Sequence, residues 1–273
     1  MNYQTFQPQP DLESLVKCYW TLEVPMETDP QRQRIIPDGC IEMIFILGDD
    51  VKRYTTKNDF IIQPRAMVLG QIIEPFFVEP TGYVNSFACR FYPYGFTSFV
   101  TAPIKNLANR ETSLELLFGK KPAKELEQKI IHATDTKNRI QIVEDFLLSK
   151  LKNQATIDSI VKSTIDILLL TKGTTPIKSI IKNDLTKRRR LERKFFKQVG
   201  MSPKQLGKVI RLQTALKMLL NQQTESLAKI AYESEYYDQA HFIKDFKEFT
   251  GTTPKEFLED GEMALSSLFY TED

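Results

Sequence analysis

The hydrophobic pattern of the chain changes its period near residue 104. Before that point, turn-forming residues such as Pro37-Asp38-Gly39 separate short apolar or alternating runs, at residues 41–47, 60–64, 66–73, 76–80 and 84–93. Alternation with a period of two, broken at close intervals by turns, is typical of antiparallel strands. The first part of the chain is therefore predicted to be a small antiparallel β-barrel or sandwich.

After residue 104 the apolar residues recur at a helical spacing. In segment 139–151 the stripe consists of Ile140, Val143, Leu147 and Leu151. Such a stripe packs either on the barrel or against its copy in a second subunit, and packing on the barrel is favoured because apolar helical stripes more often belong to a core. The fold class is therefore α+β, with helices flanking the barrel at its C-terminal side.

Two domains are expected from a length of 273 residues. The boundary is placed in the polar stretch 152–156, which precedes an apolar helix predicted for residues 157–170 and ending before Gly173. The predicted domains are a barrel-like sensor or dimerisation domain over residues 1–152 and an all-α domain over residues 156–260.

One sequence unit occurs twice in the second domain. The stretch RKFFKQVGMSPKQL matches KDFKEFTGTTPKEF, which begins 51 residues later, so that Gly200 corresponds to Gly251 and Pro203 to Pro254. In both copies apolar residues recur at helical spacing, a glycine suits a left-handed helix end, and Ser/Thr-Pro suits the start of another helix. Each copy is therefore predicted to be a helix with one buried face, followed by a sharp turn.

A shorter helix precedes each copy across a tight turn, at residues 177–182 and 227–232. Short helix, tight turn and longer helix make a helix-turn-helix, whose second helix can enter the major groove of DNA. A long helix with apolar residues between 206 and 220 would join the two units. The second domain is thus predicted to hold two helix-turn-helix units at a fixed separation.

The charge of the chain is distributed unevenly. The net charge is only +2, but residues 174–257 carry 17 Lys and Arg against 9 Asp and Glu. The run Lys187–Arg190 would by itself be a solvated charged stretch; at the start of a duplicated helix after a turn, it indicates contact with DNA. This excess also argues against an interaction module without DNA binding.

The second half resembles the DNA-binding domain of AraC/XylS-type transcription regulators over about residues 157–258. The segment SLAKIAYESEYYDQAHFIKDFKEFTGTTPKEF carries the most specific part of the resemblance. The front half, through IIPDGCIEMIFIL, MVLGQIIEP and GYVNSFACRFYPYGFTSF, resembles an N-terminal barrel-like sensor domain found in a subset of these regulators. The resemblance implies a sequence-specific DNA-binding regulator that a small molecule or self-association modulates through the barrel.

The resemblance also implies which side chains face DNA. In the first recognition helix the base edges would meet Arg189, Glu192 and Arg193, and the backbone would meet Lys187, Arg188 and Arg190. In the second, the corresponding residues are Gln239, Ala240, His241 and Lys244. Arginine suits guanine because its planar fork meets O6 and N7 together. Arg211 and Asp238 resemble positions that brace the fold and cap a helix.

Two positions depart from the family pattern. Glu235 stands in a turn where the family usually has Gly, and a non-Gly residue at positive φ costs about 1 kcal/mol. The usual Ser cap of the first recognition helix falls on Lys187, although Thr186 could cap the helix one residue earlier, so the exact face of this helix is left open.

The alternative hypothesis is an enzyme, with Cys-dependent alkyl transfer fused to a DNA-binding module. It requires a reactive thiol in a basic setting. Cys18, Cys40 and Cys89 are instead predicted to be reduced and mostly buried. With His132 and His241 as the only histidines, no metal site, cofactor or catalytic residue is expected. Asp38 and Glu42 are interpreted as part of a turn and strand rather than as an acid–base pair.

The expected partners are double-stranded DNA, a small-molecule effector of unknown identity and a second copy of the chain in a homodimer. Trp20, Phe45, Phe77, Phe91 and Tyr92 either line an effector pocket or pack in the core, and core packing is favoured. No apolar run reaches the roughly 20 residues that cross a bilayer. The first residues lack the basic and apolar regions of a secretion signal, so a cytoplasmic location is expected.

Overall fold

A computed structural model describes residues 1–26, 31–151, 157–221 and 226–259. Its first part is built from antiparallel strands. The strands are β1 Asn2–Phe6, β2 Val16–Val24, β3 Gln33–Ile35, β4 Ile41–Ile46, β5 Val51–Tyr54, β6 Phe60–Ile62, β7 Ala66–Leu69, β8 Phe76–Pro80, β9 Val84–Phe91 and β10 Glu111–Ser113. They form a six-stranded sheet in the order β1-β2-β9-β4-β7-β10 and a four-stranded sheet in the order β3-β8-β5-β6.

The six-stranded sheet is buried on both faces. In β4, Met43 and Phe45 point into a core shared with helices, whereas Ile44 and Ile46 point into a second core that is shared with the four-stranded sheet. Successive side chains of a strand lie on opposite faces. A strand covered on both sides therefore reads as a continuous apolar run, which explains the sequence of residues 41–47.

The helices begin after β10. They are α1 Leu114–Phe118, α2 Lys120–Ile131, α3 Thr136–Lys150, α4 Ser159–Leu170, α5 Ile177–Ile180, α6 Leu185–Gln198, α7 Pro203–Asn221, α8 Leu227–Glu233, α9 Gln239–Thr250 and α10 Pro254–Glu259. Val143 and Leu147 of α3 are fully buried in the core that β4 shares, with Ile140 and Leu151 packed against it. The predicted stripe therefore packs on the barrel side of the molecule.

The predicted fold class is confirmed. The mixed α+β chain has two antiparallel sheets first and a helical part with two helix-turn-helix units afterwards. Strands β1, β2, β3, β5 and β10 were absent from the sequence prediction. Most of these strands are short or polar, as in Glu111–Ser113. That segment has no apolar run of its own, and it is a strand because its backbone pairs with β7.

One apolar core extends from the sheets into the first helix-turn-helix unit. It includes Phe45 and Phe91 from the sheet, Ile165 from α4, and Leu191 and Phe195 from α6. A second core belongs to the C-terminal unit and takes in one barrel residue, Ile36. The predicted boundary at residues 152–156 lies outside the described residues, so the division into two domains there stays a prediction.

Candidate nucleic-acid interface

The first helix-turn-helix unit consists of α5 and α6. Between them Lys182 and Asn183 adopt positive φ angles of 52° and 59°, which reverse the chain direction in a short turn. Asp184 then caps α6, since its carboxylate accepts a hydrogen bond of 3.0 Å from the backbone N–H of Lys187. This hydrogen bond is the main cause of a lowered pKa for Asp184. The interpretation that Thr186 could cap the helix is wrong, because Thr186 and Lys187 already lie in the first turn of the helix.

The position of this cap makes α6 longer than α9 at its N-terminal end. In the duplicated unit, Gln239 at the start of α9 corresponds to Arg188, whereas α6 begins three residues earlier at Leu185. At ~1.5 Å per residue the extension amounts to about 4.5 Å. The sequence signal for this cap is an Asp three residues before Lys187, from whose N–H it accepts a hydrogen bond. The alignment with the second unit pointed to a later start of the helix and concealed this signal.

The cationic side of α6 faces solvent. Leu191 and Phe195 are fully buried on one side of the helix. The six predicted contact residues are all exposed; they are Lys187, Arg188, Arg189, Arg190, Glu192 and Arg193. Arg188 Nε donates a 3.1 Å hydrogen bond to Glu192 Oε1 one turn later, which orients both side chains along the exposed face. The helix therefore offers an accessible, strongly positive surface.

The second unit consists of α8 and α9. In its turn Glu235 has a φ of 55°, so the left-handed geometry that usually belongs to Gly is kept with a Glu side chain. The N–H of Tyr236 donates to the carbonyl of Ala231 at 2.9 Å and closes the turn. Asp238 caps α9 by accepting a 2.7 Å hydrogen bond from the N–H of His241. Capping by Asp238, which the resemblance implied, is therefore present.

The outer side of α9 carries the second predicted set. Gln239, Ala240 and Lys244 are exposed, and His241 is half-exposed. His241 Nε2 lies 3.6 Å from the buried carboxylate of Asp245. Asp245 in turn lies 3.0 Å from Lys208 Nζ on α7. The imidazole of His241 is thus linked through Asp245 to the joining helix, while the side chain stays half-exposed.

Two exposed residues beside these sets escaped the sequence prediction. Tyr237, directly before the cap of α9, is 92% exposed, and Leu185 at the start of α6 is 73% exposed. Both flank the N-terminal end of a recognition helix, which is the end that approaches base edges in helix-turn-helix proteins. A search limited to charged and amide side chains could not have found them.

Replacing Asp184 with Ala is expected to lower the free energy of unfolding by about 1 kcal/mol, because the first turn of α6 loses its cap. DNA binding should weaken as well, since the fraying turn carries Lys187. Asp184→Asn is the matched control, because Asn caps a helix as well as Asp does. Urea unfolding and a DNA gel shift would measure both effects. Equal losses for the Ala and Asn variants would contradict the role of the cap.

The barrel contains a separate candidate site, a cavity of about 130 Å³ between the two sheets. Its wall is mainly apolar and includes Trp20, Ile44, Met67, Phe76 and Val84. Of the predicted aromatic residues, Trp20 thus lines a pocket, whereas Phe45 and Phe91 are buried in the core.

Charged groups form part of the wall of this cavity. Arg90, only 5% exposed, donates through Nε to Glu42 Oε1 at 2.7 Å, and its Nη2 lies 3.6 Å from Asp38 Oδ2. Trp20 Nε1 donates to the same Glu42 oxygen at 3.0 Å. Asp38 also accepts a 2.9 Å hydrogen bond from the N–H of Cys40, as in a turn. Both carboxylates are therefore engaged in the wall rather than arranged as an acid–base pair.

The thiols do not have the surroundings of a nucleophile. Cys18 and Cys89 are buried and Cys40 is half-buried. Burial raises the pKa of both Cys40 and Cys89, so the thiolate form is disfavoured. The alternative of Cys-dependent alkyl transfer is not supported by these positions.

Comparison with known proteins bears on both parts of the chain. Residues 186–260 match the family described as "Helix-turn-helix domain". Residues 4–113 match a family described as "Domain of unknown function (DUF6597)". The C-terminal part of the chain thus resembles a helix-turn-helix domain, in agreement with the two units described above. No curated protein matches its sequence.

The fold of the chain also has counterparts among solved structures. ToxT from Vibrio cholerae has a TM-score of 0.50 and 14% identity, with 90% of this chain and 99% of that chain covered. ToxT bound to (E)-4-(8-methylnaphthalen-1-yl)but-3-enoic acid scores 0.49 at 14% identity, with 95% and 99% covered. Unsaturated fatty acid bound wild-type ToxT scores 0.46 at 16% identity, with 88% and 94% covered. At these identities the likeness concerns the fold alone.

No helix in the described ranges has the length and apolar character needed to cross a membrane.

Proposed function

We propose that the chain is a transcription regulator of the AraC/XylS type, and that it binds two adjacent major-groove segments on one face of double-stranded DNA, one with α6 and one with α9. Segments read in this way lie about one helical turn, ~34 Å, apart. The observation that carries the proposal is the exposure of the predicted contact face on both helices, opposite a fully buried apolar face that contains Leu191 and Phe246. One long helix, α7, joins the two units.

The proposed roles of the side chains follow from their position on each helix. Arg189, Glu192 and Arg193 contact base edges from α6, while Lys187, Arg188 and Arg190 contact phosphates. From α9 the proposed contacts come from Gln239, Ala240, His241 and Lys244. Arg193 and Lys244 occupy corresponding positions in the duplicated unit, so each would reach the groove at the same depth.

The proposed division of labour assigns residues 156–260 to DNA and residues 1–152 to control. The cavity between the sheets supports a small-molecule effector, because its wall is mainly apolar and also holds the Arg90 cluster. A ligand can shift the regulator only if it binds one arrangement of the two domains better than another. Binding to DNA places the proposed site of action in the cytoplasm.

Self-association through the barrel is the second candidate mode of control. Strand β6 forms an edge of the four-stranded sheet, and its residues Phe60, Ile61 and Ile62 are 46%, 47% and 48% exposed. An exposed apolar edge strand can pair with a second copy of itself. A homodimer formed in this way would bring four recognition helices to the DNA.

Selection of bound sequences from a random DNA pool tests this function. The expected result is two conserved blocks with centres about 10 base pairs apart, one for each recognition helix. A repeat of the whole two-block pattern would indicate a homodimer. Selection with and without a small-molecule extract of cells would show whether an effector changes the outcome. Recovery of a single block, or of none, would overturn the proposal.

A further inference from the structure

Both recognition helices end against the barrel at equivalent points. A side-chain carbon placed at Gly200, just after α6, would lie 3.2 Å from Ile104 Cγ2 and 3.5 Å from Gln71 Cγ. A carbon placed at Gly251, just after α9, would lie 3.7 Å from Pro75 Cγ and 3.9 Å from Arg34 Nη1. Because the two glycines correspond in the duplicated unit, the barrel touches the same point of both units. Gln71 and Pro75 belong to one loop, between β7 and β8.

Arg34 makes the most specific of these contacts. Its Nη1 donates a 2.9 Å hydrogen bond to the carbonyl of Thr250, the last residue of α9, and a 3.1 Å hydrogen bond to Thr252 Oγ1. The side chain is buried, and its guanidinium lies 5.1 Å from the ring centre of Phe77. Carbonyl groups at the C-terminal end of a helix carry partial negative charge, so a cation there stabilises the contact electrostatically.

The same part of the barrel also holds the joining helix α7. Gln213 Nε2 on α7 donates a 2.5 Å hydrogen bond to the carbonyl of Pro37, and Ile36 packs in the core of the second unit. Gln71 Nε2 donates to the carbonyl of Gly39 at 2.9 Å. This hydrogen bond joins the two barrel segments, residues 34–39 and 71–75, into one surface, which we call the clamp.

We propose that the clamp sets the separation and relative orientation of α6 and α9, and that Arg34 is its positioning residue. The proposal rests on the proposed reading of two groove segments. The clamp holds both helices at their C-terminal ends and leaves their N-terminal ends exposed toward DNA. Each base pair inserted between two sites moves them by ~3.4 Å and rotates one about the duplex axis. A clamped pair of helices therefore fits one spacing and rejects its neighbours.

The clamp also forms part of the wall of the barrel cavity. Ile35, Ile36, Ile72 and Phe76 line the cavity and are sequence neighbours of Arg34, Gln71 and Pro75, which face the helices. A molecule that fills the cavity presses on the same two segments that position the recognition helices. The spacing of the helices is thus the property that an occupant of the barrel would alter.

The test compares operators of altered spacing with the full-length chain. The two-block duplex from the random pool is used together with derivatives that have one base pair inserted or removed between the blocks. Wild-type protein should favour the original spacing. Arg34→Ala should reduce this preference about five- to tenfold, mainly by improving relative binding to the altered duplexes. Thr252→Val, which removes one acceptor of Arg34, should act in the same direction with a smaller effect.

Controls separate the clamp from general stability and from the proposed function. Arg32→Ala is the matched control, because Arg32 stacks on Tyr54 at 3.6 Å and donates to the carbonyl of Lys57 within the barrel. The spacing preference of Arg32→Ala should equal that of the wild-type protein. A duplex with only the first block should bind wild type and Arg34→Ala equally. An unchanged preference in both Arg34→Ala and Thr252→Val, or a wild-type protein without any spacing preference, would overturn the clamp. Equal binding of wild type to the one-block and two-block duplexes would instead overturn the proposed function.

Discussion

Raising the salt concentration from about 50 to 200 mM is expected to weaken DNA binding about a thousandfold, as for a protein with about six phosphate contacts. The physical reason is the release of counterions from DNA when Lys and Arg neutralise phosphates. The exposed cations of α6 and α9 and the excess of 17 cationic over 9 acidic residues across residues 174–257 supply these contacts. Log affinity should fall linearly with log salt concentration in a filter-binding or fluorescence assay.

Paired substitutions locate the charges responsible. The double substitution Arg188→Ala with Arg190→Ala should reduce the slope of log affinity against log salt concentration by about 2. Each lost phosphate contact removes about one unit of that slope. The control pair is Lys121→Ala with Lys124→Ala on α2, which changes the net charge equally at exposed positions outside the proposed interface. A control pair that lowers the slope as much as the α6 pair would show that overall charge, and not this helix, binds the phosphates.

Arg90→Ala is expected to lower the free energy of unfolding by about 3 to 5 kcal/mol. The guanidinium is buried, pairs with Glu42 at 2.7 Å and approaches Asp38 at 3.6 Å, so its removal leaves two carboxylates without it in the wall of a mainly apolar cavity. Buried charges without a partner are strongly destabilising. Urea unfolding followed by circular dichroism measures the loss.

Arg65→Ala is the matched control for this substitution. Arg65 also pairs with a carboxylate, at 2.8 Å from Asp50, but both side chains are nearly half exposed. Exposed pairs of this kind contribute about 0 to 1 kcal/mol. Adding Glu42→Ala to Arg90→Ala should recover part of the lost stability, since the two groups are coupled. Equal losses for Arg65→Ala and Arg90→Ala would show that burial of the pair has no energetic consequence.

Several features of the fold could be predicted because their causes are local. The left-handed residues Gly200 and Gly251, with φ of 94° and 80°, follow from the absence of a side chain. The starts of α7 at Pro203 and α10 at Pro254 follow from the fixed φ of proline. The strand β4 was also predicted, from the apolar run at residues 41–47. Each of these depends on residues within one or two turns of the chain.

The errors arose where the cause lay at a distance or where two local signals competed. Thr186 was considered as the cap of α6 because the second unit set the alignment, but Asp184 provides the cap and lengthens the helix. Strand β2 was missed although Trp20 and Tyr19 face different cores; it lies between β1 and the distant strand β9 in the sheet. Pairing across the sheet decides such strands, and the segment by itself does not.

The sequence by itself determined that two similar cationic helices, each with one apolar face, would follow tight turns near the C-terminus. The reason is that helical periodicity, caps and charge all depend on residues within each unit. Only the tertiary structure decided how those helices are held. Arg34 meets Thr250 across 216 residues, and Gln213 meets the carbonyl of Pro37 across 176 residues. Contacts of this range have no local pattern, because they depend on how separately folded surfaces fit together once the chain is packed.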